Sequence, residues 1–298
     1  MQGMHIVKKM RQFVQTLVGG GYFMDRLSVL LSQFGVSAGT FHSGSFCGIT
    51  AFDGNQACGH VHLLQAGALN VRLADDREVH VDVPTLMFFP RPYRHRLSAH
   101  EEFSTQLVCA SLSFDGGASN ALASALPDYM FLRLDETPSM AVTLDWMFTE
   151  AFGAACGREA VMDRLFELLV ILLLRKILAD RSQRPGMMAG LADPRLSRPL
   201  NLMHEQPNHA WSVASLSAAA NMSRASFAEH FRRVVGQTPA DYLLSWRISL
   251  AQKRLREGKS IALVADEVGY ESPSALARAF RRKTGTSPRE WAQGDKLR

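Results

Sequence analysis

Long apolar runs are missing from this chain of 298 residues. Its most apolar stretch, LFELLVILLLRK at 165–176, contains Glu167 and ends in Arg175 and Lys176. That is well short of the roughly 20 residues a membrane span needs, so no membrane association is expected. A cleavable secretory signal is also missing, because the apolar stretches near the N-terminus are short and broken by Gln12 and Gln15. Cysteine is scarce: Cys47, Cys58, Cys109 and Cys156 are all there is. Four thiols are too few for a disulfide scaffold and read as reduced side chains of a cytoplasmic protein. No convergent acid–base or nucleophile set stands out, which speaks against an enzyme. With 47% apolar and 20% charged residues, the chain is also not disordered.

Charge is present but unevenly spread. From Leu196 onward there are 16 Lys/Arg against 9 Asp/Glu, whereas the preceding 195 residues carry 17 against 19. The last third therefore holds the basic excess and is the part that would meet a polyanion. A basic face also serves plain solubility, so charge alone does not decide.

Texture divides the chain. Residues 1–23 read as a leader, with Met24 as an alternative start. Residues 24–135 open with a short amphipathic helix at 24–34. They continue through HVHLLQAGALNVRLA, EVHVDVP, TLMFFP and TQLVCASLSF, short runs rich in β-branched and aromatic residues and broken by Gly, Pro and Asp. Several alternate with period two, the pattern of an antiparallel sandwich or barrel. Residues 136–181 read as two helices with wide apolar faces. The second has Val161, Leu165, Leu168, Leu169, Leu172, Leu173 and Ile177 at helical spacing. That stripe fits either packing on the barrel or a helix of a second copy. Residues 182–198 read as a linker, because the stretch SQRPGMMAGLADPRLSRP from 182 to 199 holds three prolines and two glycines. Residues 199–298 form the last domain, and the fold class is α+β in two domains.

That last domain repeats itself. Shifting SLSAAANMSRASFAEHFRRVVGQTP by 49 places it on the stretch around LVADEVGYESPSALARAFRRKTGTSP without a gap. Phe227 falls on Leu276, Phe231 on Phe280, Arg232 and Arg233 on Arg281 and Arg282, Gly236 on Gly285, and Pro239 on Pro288. In the first copy Val213, Leu216, Ala219 and Ala220 give one helix. Ser223 caps a second whose buried stripe is Phe227, Phe231 and Val234. In the second copy Ile261, Val264, Ala265 and Val268 give the first helix and Gly269 the turn. Ser272 caps the next helix, with Pro273 at its first position and Leu276 and Phe280 buried. Each copy is a helix-turn-helix whose second helix is amphipathic and basic. Residues 240–258 between them read as one rod of about 25 Å. Such a rod spaces the reading helices near one DNA turn, about 34 Å. A solenoid is the alternative, but it usually stacks three or more repeats without a spacer.

Residues 200–292 resemble the C-terminal domain of the AraC/XylS family of bacterial transcription regulators. The likeness rests on the tryptophan-led first unit, Arg247, Ile248, Ala251 and Leu255 of the rod, IALVADEVGYES and FRRKTGTSPREW. The resemblance implies sequence-specific binding of double-stranded promoter DNA, with RNA polymerase as a further partner. By position it sets Arg224, Ala225, Ala228 and Glu229, and in the second unit Ser274, Ala277 and Arg278, against base edges. It sets Ser223, Arg232, Arg233, Ser272, Arg281, Arg282 and Lys283 against the DNA backbone. Arg278 can pair with guanine in bidentate fashion, Glu229 can only accept, and Ala225 and Ala228 offer methyl contact. The second unit is therefore expected to carry more of the direct readout.

The N-terminal part resembles the cupin-like effector domain of some family members, through HVHLLQAG, PTLMFFPRPYRHRL and LVCASLSFDGG followed by NALASALPDYMFL. Cupins hold a metal with an HxH pair and a later histidine. The resemblance makes His60, His62 and His95 ligands for a transition metal such as zinc or iron. The usual cupin glutamate is missing, with Gln65 the nearest polar residue, and the same histidines also read as ordinary strand residues. Cys58, with Cys47 upstream, offers a thiolate alternative, and packed thiols are the other reading. Two functions follow. One is a regulator whose barrel binds a small-molecule effector and whose helices at 139–180 mediate a homodimer. The other is a metal-dependent cupin enzyme fused to a DNA-binding tail, which the missing glutamate disfavours.

Overall fold

Alternation along three neighbouring strands decides how the N-terminal half folds. In β3 (Gly59–Ala66), Val61 and Leu63 point to one face, while His60, His62 and Leu64 point to the other. In β6 (Thr85–Phe89) Leu86 and Phe88 oppose Met87 and Phe89. In β8 (Gln106–Phe114) Val108, Ala110 and Leu112 oppose Leu107 and Cys109. Both faces of this sheet are therefore apolar, and both must be covered. The computed structural model, which describes residues 25–55, 57–117, 120–180 and 184–294, shows how. The expected leader at 1–23 lies outside the described residues.

Two antiparallel sheets form. One has five strands in the order β1 (Val36–Ser45), β8, β3, β6 and β9 (Met130–Arg133). The other has four, in the order β2 (Gly48–Phe52), β7 (His95–Ala99), β4 (Leu69–Arg72) and β5 (Glu78–Val81). Their inner faces share a core of Phe52, Leu64, Leu69, Val71, Leu97, Met87, Phe89 and Leu107. This is the expected cupin-like antiparallel barrel. The outer face of the five-stranded sheet is covered by helices. α1 (Ser28–Gln33) precedes β1, α2 (Ala121–Ser124) lies between β8 and β9, and α3 (Ala141–Phe152) and α4 (Arg158–Ala179) follow β9. α4 packs along β1, and its Met162, Leu165, Phe166, Leu169, Val170, Leu173, Leu174 and Ile177 are buried.

The stripe read at 161–177 is thus largely consumed inside the chain rather than left for a second copy. Leu168 remains exposed, as do Val142 and Trp146 of α3. The linker expected at 182–198 also needs correction. α5 (Met187–Ala192) forms within it and buries Met187, Met188 and Leu191 beside α6 (Ser197–Glu205). Pro185 and Gly186 precede that helix and Pro194 follows it, while Gly190 lies inside it, buried where a Cβ would meet Leu200 and Val235. Among the described residues no helix is long and apolar enough to cross a membrane.

The rest is helical: α7 (Val213–Ala219), α8 (Arg224–Val235), α9 (Pro239–Arg256), α10 (Ile261–Glu267), α11 (Pro273–Thr284) and α12 (Pro288–Gly294). The two halves touch. The Phe34 ring meets the Trp246 indole edge-on at 5.3 Å. Lys253 Nζ lies 3.3 Å from Asp115 Oδ2, and the Arg256 guanidinium donates to the Gly116 carbonyl.

Candidate nucleic-acid interface

The repeated sequence builds a repeated cap chemistry. Ser223 accepts from the Ser226 N–H at the start of α8, and Ser272 accepts from the Ala275 N–H at the start of α11. Each hydroxyl satisfies one of the backbone donors that a helix N-terminus leaves unpaired. At the far ends Gly236 and Gly285 both take positive φ, 82° and 79°, and close their helices in the left-handed form. Pro239 and Pro288 then open α9 and α12, each behind a capping hydroxyl, Thr238 and Ser287. Two further caps, Ser212 on α7 and Ser260 on α10, complete the pattern. They escaped the sequence reading, although a serine directly before an apolar helix start is their signal in both copies.

The buried stripe of α8 is Phe227, Phe231 and Val235, with Val234 only half-buried. The spacing is i, i+4, i+8 rather than i, i+4, i+7, because α8 turns its last residue into the groove against α5. In α11 Ala279 joins the expected Leu276 and Phe280. Arg224, Ala225 and Glu229 stand exposed on α8 beside half-buried Ala228. Ser274 and Arg278 stand exposed on α11 beside half-buried Ala277. Each unit thus brings its expected base-facing residues onto one exposed face. Among the described residues Arg224, Arg232 and Arg278 make no ion pair.

The other expected backbone cations differ in their freedom. Arg282 and Lys283 are exposed at the end of α11. Arg233 donates to His230 Nδ1 at 2.8 Å, and His230 Nε2 lies 2.8 Å from Asp193 Oδ2. Arg281 sits 3.8 Å from Glu290. The rod α9 is 18 residues long, about 27 Å, and its buried side chains touch both units. Arg247 ties it down. Its Nε donates to the Pro207 carbonyl at 2.6 Å, its Nη2 to the His209 carbonyl at 3.0 Å, and its guanidinium lies over the Tyr270 ring.

The barrel carries the second candidate group. His60 and His62 of β3 and His95 of β7 are buried together, with ring centroids 5.1 to 5.8 Å apart. His95 is sandwiched between the Phe52 and Phe89 rings, at 4.5 and 3.9 Å. Its Nδ1 lies 2.7 Å from the Tyr93 carbonyl and must carry the proton. Its Nε2 is then a lone pair facing His62 Nε2 at 2.9 Å. His62 Nδ1 and His60 Nδ1 are buried without a partner. Burial pushes His60 and His95 each down to about 4, and burial with the neighbouring histidines holds His62 well below its ordinary value, so the cluster is neutral. Cys58 Sγ is 3.9 Å from His60 Nε2, whereas Cys47 is exposed. As a metal site the set fits in part. Two nitrogens face each other, but among the described residues no three His, Cys, Asp or Glu side chains converge where an ion would sit.

Residues 25–179 match the Cupin family, and residues 216–294 match a Helix-turn-helix domain. The RCS-specific HTH-type transcriptional activator RclR of Escherichia coli (strain K12) is 31% identical over 237 residues, covering 78% of this chain and 83% of that protein. A putative AraC-like transcription regulator of Streptomyces lividans is 36% identical over 191 residues, 62% of each chain, so this chain spans under two thirds of that relative. Among solved structures, the DNA-binding domain of AdpA in complex with a target DNA is 31% identical. It covers 35% of this chain and 95% of that one, with a TM-score of 0.33. Cupin barrel, duplicated helix-turn-helix and relatives agree: the chain belongs to the AraC/XylS family of DNA-binding transcription regulators with a cupin-like N-terminal domain.

Proposed function

We propose that the chain is a sequence-specific promoter regulator whose two helix-turn-helix units enter successive major grooves on one face of the duplex, and whose N-terminal domain answers to a small-molecule effector. The observation that carries the reading is the pairing of α8 and α11. They have the same serine cap, the same glycine close, the same basic last turn, and a rigid rod between them. Base contacts fall to Arg224, Ala225, Ala228 and Glu229 in the first unit and to Ser274, Ala277 and Arg278 in the second. Unpaired Arg278 has the reach and the fork geometry for guanine. Backbone contacts fall to Arg232, Arg233, Arg281, Arg282 and Lys283. The test is selection of duplexes from a random pool by the purified chain, repeated with Arg278→Ala. That change costs about 1–3 kcal/mol and relaxes one position of the selected site. An unchanged site and affinity would remove α11 from the reading role.

The effector is placed at the rim of the barrel. A cavity of about 1370 Å³ opens there between Tyr93 and Tyr129 of the barrel, Met187 and Met188 of α5, and Trp246 of α9. An effector in it would touch both domains. RNA polymerase and a second copy of the chain complete the proposed partners. The likeness to transcription regulators along both domains supports a regulator rather than an enzyme. A second reading of the barrel rests on the cupin likeness alone: a zinc or iron ion held by His60, His62 and His95 would require the His62–His95 hydrogen bond to open and all three rings to turn toward one point. Metal analysis of the purified chain and of His62→Ala decides it, and equal metal content in both would refute it.

A further inference from the structure

Beside the turn between α7 and α8 runs a groove of about 620 Å³. Pro194, Arg195 and Arg198 line one wall, and Ala219 through Ser223 with Ser226 line the other. Arg195 and Arg198 are exposed, and among the described residues neither side chain has a hydrogen bond or ion pair. Asp193, two residues before Arg195, has both carboxylate oxygens engaged elsewhere. Its Oδ1 accepts from the Arg195 and Leu196 N–H groups at 2.8 and 3.1 Å, and its Oδ2 faces His230. The groove thus shows two uncompensated guanidiniums. On the opposite wall stand exposed Asn221, held at a φ of 53°, and the N-terminus of α8, a 12-residue helix that itself favours an anion.

The second unit has no counterpart. At the repeat offset Arg198 falls on Arg247, whose guanidinium is spent on the Pro207 and His209 carbonyls, and Arg195 falls on Leu244. The asymmetry is complementary to that of the reading faces. The first unit offers bases two alanines and a glutamate beside Arg224, and the second offers Arg278.

We propose that Arg195 and Arg198, with Asn221, form a phosphate clamp for one DNA strand beside the first unit. That unit then mainly holds the backbone while the second reads bases. The clamp rests on the reading that the C-terminal domain grips duplex DNA. Groove shape supports a strand as occupant: the trough is open along its length and polar, and it adjoins the helix expected in the major groove.

The test uses the full chain and the double variant Arg195→Gln/Arg198→Gln. Binding is measured on a duplex of random sequence and on a duplex selected by the wild type, over a salt series. Two lost phosphate contacts lower the slope of log K against log salt by about 1.8, since each contributes about 0.9. Affinity should fall by the same factor on both duplexes, with the ratio between them unchanged. The melting temperature should stay put, because neither side chain has a partner to lose. A slope equal to that of the wild type overturns the clamp, even if affinity falls, and so does a loss confined to the selected duplex. Failure of the wild type to bind either duplex at low salt overturns the DNA reading itself, which separates the two outcomes.

Discussion

His204 lies in α6 with no exposed surface, its ring 4.1 Å from the Trp246 indole and its Nε2 2.5 Å from the Tyr242 hydroxyl. Its Nδ1 has no partner, and burial pushes its pKa down to about 3 from 6.5. Its folded value therefore lies below the unfolded one. The native state stays neutral while the unfolded chain takes up a proton, so stability is complete above pH 6.5 and is lost as pH falls toward 3. At about pH 5 the gap is about 1.5 units, worth about 2 kcal/mol at 1.36 kcal/mol per unit. Other groups also titrate there, so the informative quantity is a difference of differences. His204→Gln keeps a polar partner for Tyr242 but cannot titrate. Urea unfolding followed by tryptophan fluorescence, at about pH 7.5 and about pH 5, gives the stability lost by each protein on acidification. The wild type should lose about 2 kcal/mol more than the variant. A difference under about 0.5 kcal/mol would refute the argument, because it would mean that the buried ring accepts a proton almost as readily as a solvated one.

Gly269 turns the second unit at a φ of +80°, and a Cβ there would lie 2.6 Å from the Asn208 Cα. Gly269→Ala should destabilise the C-terminal domain by about 2–4 kcal/mol and weaken DNA binding, read by urea unfolding and by a duplex titration. Gly59, one residue before His60, faces the Phe89 carbonyl, and an added Cβ would sit 2.2 Å from it. Gly59→Ala should force β3 from β6 at a cost of about 3 kcal/mol or more, seen as early unfolding of a barrel-specific probe. Phe34→Ala should cost about 3–5 kcal/mol and expose Trp246, seen as a red-shifted indole emission in the folded state.

The C-terminal domain was legible because its local signals agree with its packing. Ser223, Ser272, Gly236, Gly285, Pro239 and Pro288 are each a local rule of helix entry or exit, and the repeat displays them twice. The barrel was legible as a class, since alternation survives in β3, β6 and β8, but which strands pair across sheets is a long-range matter that no local run records. The linker was misread for a physical reason. MMAGLA is a short helix that stands only because Met187, Met188 and Leu191 are buried by α6 and neighbours, and tertiary packing overrides the prolines and glycines in and around it. His60, His62 and His95 were found as a set, yet their tautomers and the aim of His60 depend on Tyr93, Cys58 and two phenylalanines from other strands. The Arg195 and Arg198 groove joins segments about twenty residues apart across a turn, and spacing alone does not bring them together.

How the barrel can act on the DNA-binding units is a question of which contact between them is strong. Two are polar. Lys253 and Asp115 pair with the carboxylate more than half exposed, and such a pair is worth about 0–1 kcal/mol. The Arg256 bond to the Gly116 carbonyl is charge-assisted, and such a bond is worth about 1.5–3 kcal/mol against water. The third is the Phe34 ring against Trp246, both essentially without exposed surface, in a cluster continuous from β8 to α9. Burial of an aromatic pair outweighs either polar tie. The polar ties sit at the end of the rod nearest the second unit, where Arg256 also lies over the Trp291 ring at 5.1 Å. Phe34 grips the rod near its middle, so it fixes where the rod sits on the sheet, while the weaker polar end sets how the second unit is turned about it. An effector in the cavity that Trp246 lines would then act most directly on the strong contact, and only through the rod on the weak ones.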